Sequence, residues 1–147
     1  MFSDDNNLVG LLPSELQALD QLVNISFYNN TMVSGSIPSS YGSLPVLKRL
    51  DVSNNVIMGS IPSTLCNASS LHLINFKMNI LAGKIPTCIG SLSSLSSLGL
   101  DRNLLTGTIP THIGRLTLLG TYSKHLLQLS KFSGGNAYSC CFVILLI

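Results

Sequence analysis

The sequence predicts an α/β repeat fold, a solenoid of stacked units that each hold a short strand, a turn and a short 3₁₀-type helix. Three observations predict it. Gly10, Gly35, Gly59, Gly83 and Gly107 each open a Gly-x-(Ile/Leu)-Pro phrase, closed by Pro13, Pro38, Pro62, Pro86 and Pro110. An Asn stands upstream of each glycine: Asn6, Asn30, Asn55, Asn79 and Asn103. The glycines are spaced by 25 residues once and then by 24 three times. A fixed period of this length marks repeat architectures.

Each element follows from its own pattern. Before the Asn, the apolar residues are Leu47, Leu50, Val52, then Leu71, Ile74, Phe76, then Leu95, Leu98, Leu100. The last two of each set alternate, as a half-buried strand requires. After the Pro, apolar residues recur every third position: Tyr41, Leu44, Leu47; Ile89, Leu92, Leu95; Ile113, Leu116, Leu119. That spacing suits a 3₁₀ turn with three residues per turn. Proline fits at its start, where a missing N–H costs nothing. The one extra residue of the period falls in "NTMVSG" (30–35), in a turn, where an insertion is tolerated best.

Such a unit cannot bury its apolar face alone, whereas stacked copies bury a continuous core. The chain must bend sharply after each strand, and the backbone groups freed there need partners. An Asn side chain supplies both donors and an acceptor. Asn6, Asn30, Asn55, Asn79 and Asn103 are therefore expected to form a structural ladder along the stack.

The units match Leu-x-x-Leu-x-Leu-x-x-Asn, and with the Gly-x-Ile-Pro extension the sequence resembles plant-type leucine-rich repeats over about residues 6–119. "LCNASSLHLINF" followed by "GKIPTCIG" is especially similar to receptor-like proteins. The resemblance implies a right-handed solenoid with a parallel β-sheet on the concave face. It also implies short 3₁₀ or helical turns on the convex face, and a small second sheet near Gly-x-Ile-Pro. It further implies an ectodomain of a receptor-like protein or kinase, acting in defence or development, or a secreted inhibitor of cell-wall polysaccharide hydrolases.

Both ends depart from that pattern. No paired-Cys cap precedes the first, incomplete unit, and Ser3 stands where an apolar strand residue is expected. After 1–119, residues 120–135 read as a degenerate sixth repeat, with Lys124 where Leu should fall. Residues 136–147 form an apolar tail that matches nothing in the repeat. The expectation is a fragment or truncated product of a larger ectodomain, a divergent complete protein being the alternative; a truncated product without function is a further reading beside receptor and inhibitor.

The candidate ligand surface is the outward side of the strands: Asn24, Ser26, Tyr28; Arg49, Asp51, Ser53; Leu73, Asn75, Lys77; Ser97, Gly99, Asp101. Tyr28, Arg49, Asp51, Asn75, Lys77 and Asp101 head the set, since Arg and Tyr are enriched at binding hot spots. Lys77 and Asp101 share one column and can pair. Three sequons, at Asn24, Asn29 and Asn67, are glycosylation candidates that favour an extracellular setting beside the resemblance. Cys66 and Cys88 lie in consecutive units, where stacking brings their turns close. A disulfide and two small buried thiols both fit. Cys140 and Cys141 are adjacent, so a mutual bridge would be strained.

Composition excludes other classes. Net charge is +2 with 10% charged residues, which is no footprint for nucleic acid or anionic lipid. The start lacks the basic and apolar regions of a secretory signal. The apolar run 140–147 is too short to span a bilayer. His72, His112 and His125 lie apart, without metal-ligand spacing. No phosphate loop, nucleophile constellation or carboxylate pair is present, so neither catalysis nor a cofactor is expected. The implied partner is a peptide or protein ligand, together with a co-receptor ectodomain. The implied location is the outer face of the plasma membrane or the cell wall.

Overall fold

The structure, a computed structural model, describes residues 1 and 3–119. The sixth repeat, the apolar tail, His125, Cys140 and Cys141 lie outside the described residues. In chain order the elements are β1 (Val9–Leu11), η1 (Ser14–Ala18), β2 (Asn24–Ser26), β3 (Met32–Ser34) and η2 (Ser39–Ser43). Next come β4 (Arg49–Asp51), η3 (Ser63–Asn67), β5 (Leu73–Asn75), β6 (Ala82–Gly83), η4 (Thr87–Ser91), β7 (Ser97–Gly99), β8 (Leu104–Leu105) and η5 (Thr111–Arg115). The η elements are 3₁₀ helices.

The main sheet has the order β2-β4-β5-β7, all parallel. Its register places Ile25, Leu50, Ile74 and Leu98 side by side, and all four are buried. Phe27, Val52, Phe76 and Leu100 form a second buried row two residues on. The main chain near the start continues the ladder: Ser26 N–H donates to Met1 C=O at 3.1 Å, and Ser3 N–H to Ser26 C=O at 2.9 Å.

A second, lateral ladder runs where each chain leaves its Asn. β1 pairs with β3 and β6 with β8, both parallel. Bonds from Val56 to Val33 (3.0 Å), Met58 to Gly35 (2.7 Å), Ile80 to Ile57 (3.0 Å) and Ala82 to Gly59 (2.8 Å) join the two pairs through the third unit. The return after this ladder passes through Gly59 and Gly83, both at φ 79°. That left-handed conformation favours glycine.

The three-residue spacing becomes a chain of i→i−3 bonds. Tyr41 N–H donates to Pro38, Leu44 to Tyr41 and Leu47 to Leu44. Proline sits one residue earlier than expected. It caps each 3₁₀ helix from outside and supplies the first acceptor carbonyl, so its use is its C=O as well as its missing N–H.

The Asn side chains hold the bend between the two ladders. Asn79 Nδ2 reaches Phe76 O and Lys77 O of its own unit and Val52 O of the previous one, at 3.2, 3.2 and 2.9 Å. Its Oδ1 accepts Ile57 N–H at 2.9 Å. Asn103 repeats this set with Leu81 N–H as donor, and Asn30 with Leu8 N–H. Asn55 keeps its three donor contacts, but its buried Oδ1 has no partner among the described residues. The residue that should donate to it, by the spacing of 22 seen at the other three, is Val33. Val33 lies just after the inserted residue, in β3, and the insertion brings a second left-handed residue, Thr31 at φ 55°, into that turn. Asn6 departs from the expected ladder: it is exposed and donates only to Asp4 O, because no earlier unit lies beneath it among the described residues.

Candidate functional site

The outward strand residues form columns set by the sheet register. Asn24, Arg49, Leu73 and Ser97 occupy one; Ser26, Asp51, Asn75 and Gly99 the next. Tyr28, Ser53, Lys77 and Asp101 follow two residues on, by the strand's alternation.

The middle column is a hydrogen-bonded network. Asp51 Oδ2 accepts Arg49 Nη2 at 2.9 Å and Asn75 Nδ2 at 3.2 Å. Its Oδ1 accepts both Ser53 Oγ at 2.6 Å and Ser53 N–H at 3.2 Å. Asn75 Nδ2 also donates to Ser53 Oγ at 3.0 Å. At one end of the column Ser26 Oγ donates to Asp4 Oδ1 at 2.6 Å. Charge-assisted bonds of this kind are the stronger ones.

The two carboxylates do not face a ligand as free charges. Asp51 is 4% and Asp101 7% exposed. Lys77 Nζ lies 3.3 Å from Asp101 Oδ1. Gly99 makes that possible, since a Cβ there would meet Lys77 Cε at 2.7 Å and Asn75 Oδ1 at 2.6 Å. Buried acids without partners would be costly, and here each is matched by a cation of its own face. What remains open to solvent is part of Arg49, whose side chain is 41% exposed, the side chain of Tyr28, and part of Lys77. Asp51 and Asp101 therefore orient Arg49 and Lys77, and the exposed chemistry of the face is cationic, phenolic and amide.

The sequence places Ser53 on the outward face but not in hydrogen bonds with Asp51 and Asn75, and it does not point to Asp4 at all. Ser53 carried a usable signal, because it lies two residues after Asp51 on the same strand face. Asp4 did not, since its reach to Ser26 depends on how the first turn lies over β2.

Cys66 and Cys88 form a disulfide with a Cα–Cα separation of 5.8 Å, joining η3 to η4 on the convex side. The three sequons are placed differently. Asn24 begins β2 and is half-buried. Asn29 lies in the left-handed turn, its Nδ2 bonded to Asp5 Oδ1 and its Oδ1 to Asn54 Nδ2. Asn67 ends η3 and is exposed. Among the described residues no cluster of His, Cys, Asp or Glu can hold a metal ion, and no helix is long and apolar enough to cross a membrane.

The repeated strand, Asn bend and proline-capped 3₁₀ turn define a leucine-rich repeat solenoid. The sequence profile described as Leucine Rich Repeat matches residues 46–68 and 94–116. No curated protein matches by sequence. Among solved structures, the Arabidopsis receptor kinase HAESA, in complex with the peptide hormone IDA and the co-receptor SERK1, superposes with a TM-score of 0.74 at 35% identity. That match covers 82% of this chain and 19% of the receptor's. The plant peptide hormone receptor RGFR1, in complex with RGF2, matches with a TM-score of 0.73 at 30% identity, over 76% of this chain and 18% of that one. A plant ice-binding protein matches with a TM-score of 0.75 at 30% identity, over 82% of this chain and 38% of that one. The chain thus spans less than a fifth of these receptor chains. Its fold is a leucine-rich repeat solenoid, similar to that of plant receptor ectodomains.

Proposed function

We propose that this chain is an extracellular recognition module that binds a peptide or protein ligand on the concave sheet and acts in plant signalling, in defence or development. One observation carries the reading: a parallel sheet presents Arg49, Tyr28 and Lys77 in fixed columns, with Arg49 and Lys77 held by carboxylates that are themselves buried. Preorganised side chains on a stiff scaffold lower the ordering cost of binding. Similar structures include receptors solved with peptide hormones and with a co-receptor, which supports both a peptide ligand and a co-receptor ectodomain as partners. The role is binding, not catalysis. The test is calorimetric titration of the full chain with secreted peptides and co-receptor ectodomains. Saturable binding at micromolar affinity or better supports the reading, and its absence across the set overturns it.

A second reading is ice binding. It is favoured by the exposed apolar row of Val9, Leu11, Met32, Met58, Ile80 and Leu104 along the lateral ladder, and by the similar plant ice-binding protein. Thermal hysteresis of the purified chain decides it.

A further inference from the structure

We propose that Asn67 carries an N-linked glycan and that Asn24 and Asn29 do not, so that the sugar covers the convex side and leaves the concave sheet open. The inference rests on the extracellular reading above. An N-linked glycan is a bulky polar group that must project into solvent. Asn67 offers that. It is the last residue of η3, it is exposed, and its side chain has no hydrogen bond to give up among the described residues. Ser69, the hydroxyl residue of its sequon, is exposed as well, and its N–H donates to Asn67 O at 2.9 Å. Cys66, its neighbour, is tied to Cys88, which fixes the turn that would display the sugar.

The other two sequons are occupied by the fold. Asn24 is half-buried in the column beside Arg49, and its sequon hydroxyl, Ser26, is fully buried and donates to Asp4. A sugar there would lie across the sheet. Asn29 is held from both sides of the turn, its Nδ2 at 2.7 Å from Asp5 Oδ1 and its Oδ1 taking Asn54 Nδ2. Its sequon continues through Asn30, which is fully buried in the ladder.

The step is a group transfer from a polyprenyl-diphosphate-linked oligosaccharide. The Asn67 amide nitrogen forms a bond to the sugar's anomeric carbon. The bond from that carbon to the diphosphate oxygen breaks, the lipid diphosphate leaves with the electron pair, and the amide loses one proton to a base.

The test is to express the full chain behind a secretion leader in plant cells and to map its peptides after enzymatic glycan release in ¹⁸O-water. Both the secreted and the retained pools are mapped, so occupancy is read whatever the yield. Label is expected at position 67 in most molecules and at neither 24 nor 29. Asn67→Gln and Ser69→Ala should each remove the single glycan mass while Asn24→Gln and Asn29→Gln leave it unchanged. An unoccupied Asn67, or a glycan at Asn24 or Asn29 in the secreted pool, overturns the proposal. Occupancy is read without any ligand, so a failed binding assay and a failed glycan map remain separate results.

Discussion

Cys66 stands four residues after its proline, where the neighbouring units have Gly42 and Gly90, and its sulfur is bonded to Cys88 of the next turn. At the glycine positions the turns touch backbone to backbone: a Cβ on Gly42 would meet Thr64 O at 2.0 Å, and one on Gly90 would meet His112 O at 2.2 Å. Cys66 cannot be approached that way. η3 and η4 accordingly pack less closely than η2 and η3, and a covalent bond crosses the interval.

The bond should therefore matter to stability. It closes a loop across a sequence separation of 22, for which chain-entropy arguments give about 3 kcal/mol. Cys66→Ser with Cys88→Ser is expected to lower the urea midpoint accordingly, and reductant should do the same to the wild-type protein but not to the double variant. Identical midpoints in all states would refute this.

Gly42→Ala tests the close approach. Its methyl group would press on the Thr64 carbonyl, which belongs to the backbone and cannot swing aside. Overpacking of this kind costs about 1–3 kcal/mol. A melting temperature that matches the wild type would show that η2 and η3 have slack.

The Asn ladder predicts an inequality. Asn79→Ala removes one of the donors to Val52 O, Phe76 O and Lys77 O, which each keep another, and takes the acceptor from Ile57 N–H, at a total cost of about 3 kcal/mol. Asn55→Ala should cost about 1 kcal/mol less, because its Oδ1 already lacks a donor among the described residues. Denaturant unfolding of the two variants checks the order, and a larger loss at Asn55 would contradict it.

Tyr41 predicts an alkaline limit. Burial, and secondarily the charge of Glu15, push its phenol well above the ordinary tyrosine value, while its hydroxyl donates to Pro13 O at 3.0 Å. The folded state thus holds the proton more tightly than the unfolded state does. This stabilisation is complete below about pH 10 and is lost as pH rises above it, where the unfolded phenol ionises first. Unfolding midpoints measured from pH 8 to pH 11 should fall less steeply in Tyr41→Phe than in the wild type.

On the concave face, Arg49→Ala should weaken ligand binding by about tenfold or more, as expected for an exposed hot-spot arginine. The fold should tolerate it, apart from the loss of one partner of Asp51. Asp101→Asn keeps the shape but frees Lys77, and is expected to change the salt dependence of binding more than its strength. Titration calorimetry at two ionic strengths reads both.

The repeat register, the buried rows headed by Leu50 and Ile74, and the 3₁₀ turns were legible in the chain, because each depends on local periodicity. The sequence by itself also placed the Asn bends, since a sharp turn between strand and helix always leaves backbone groups in need of a bifunctional side chain. Only the tertiary structure decided which of those residues complete their bonds. Asn55 misses one because an insertion 20-odd residues earlier alters the unit beneath it, and Asn6 lacks a unit beneath it altogether among the described residues. It likewise decided that Asp51 and Asp101 are buried supports for Arg49 and Lys77, and that Cys66 and Cys88 are bonded. Those outcomes depend on distances between neighbouring turns, and such distances are set by packing across the stack, which no single unit's pattern encodes.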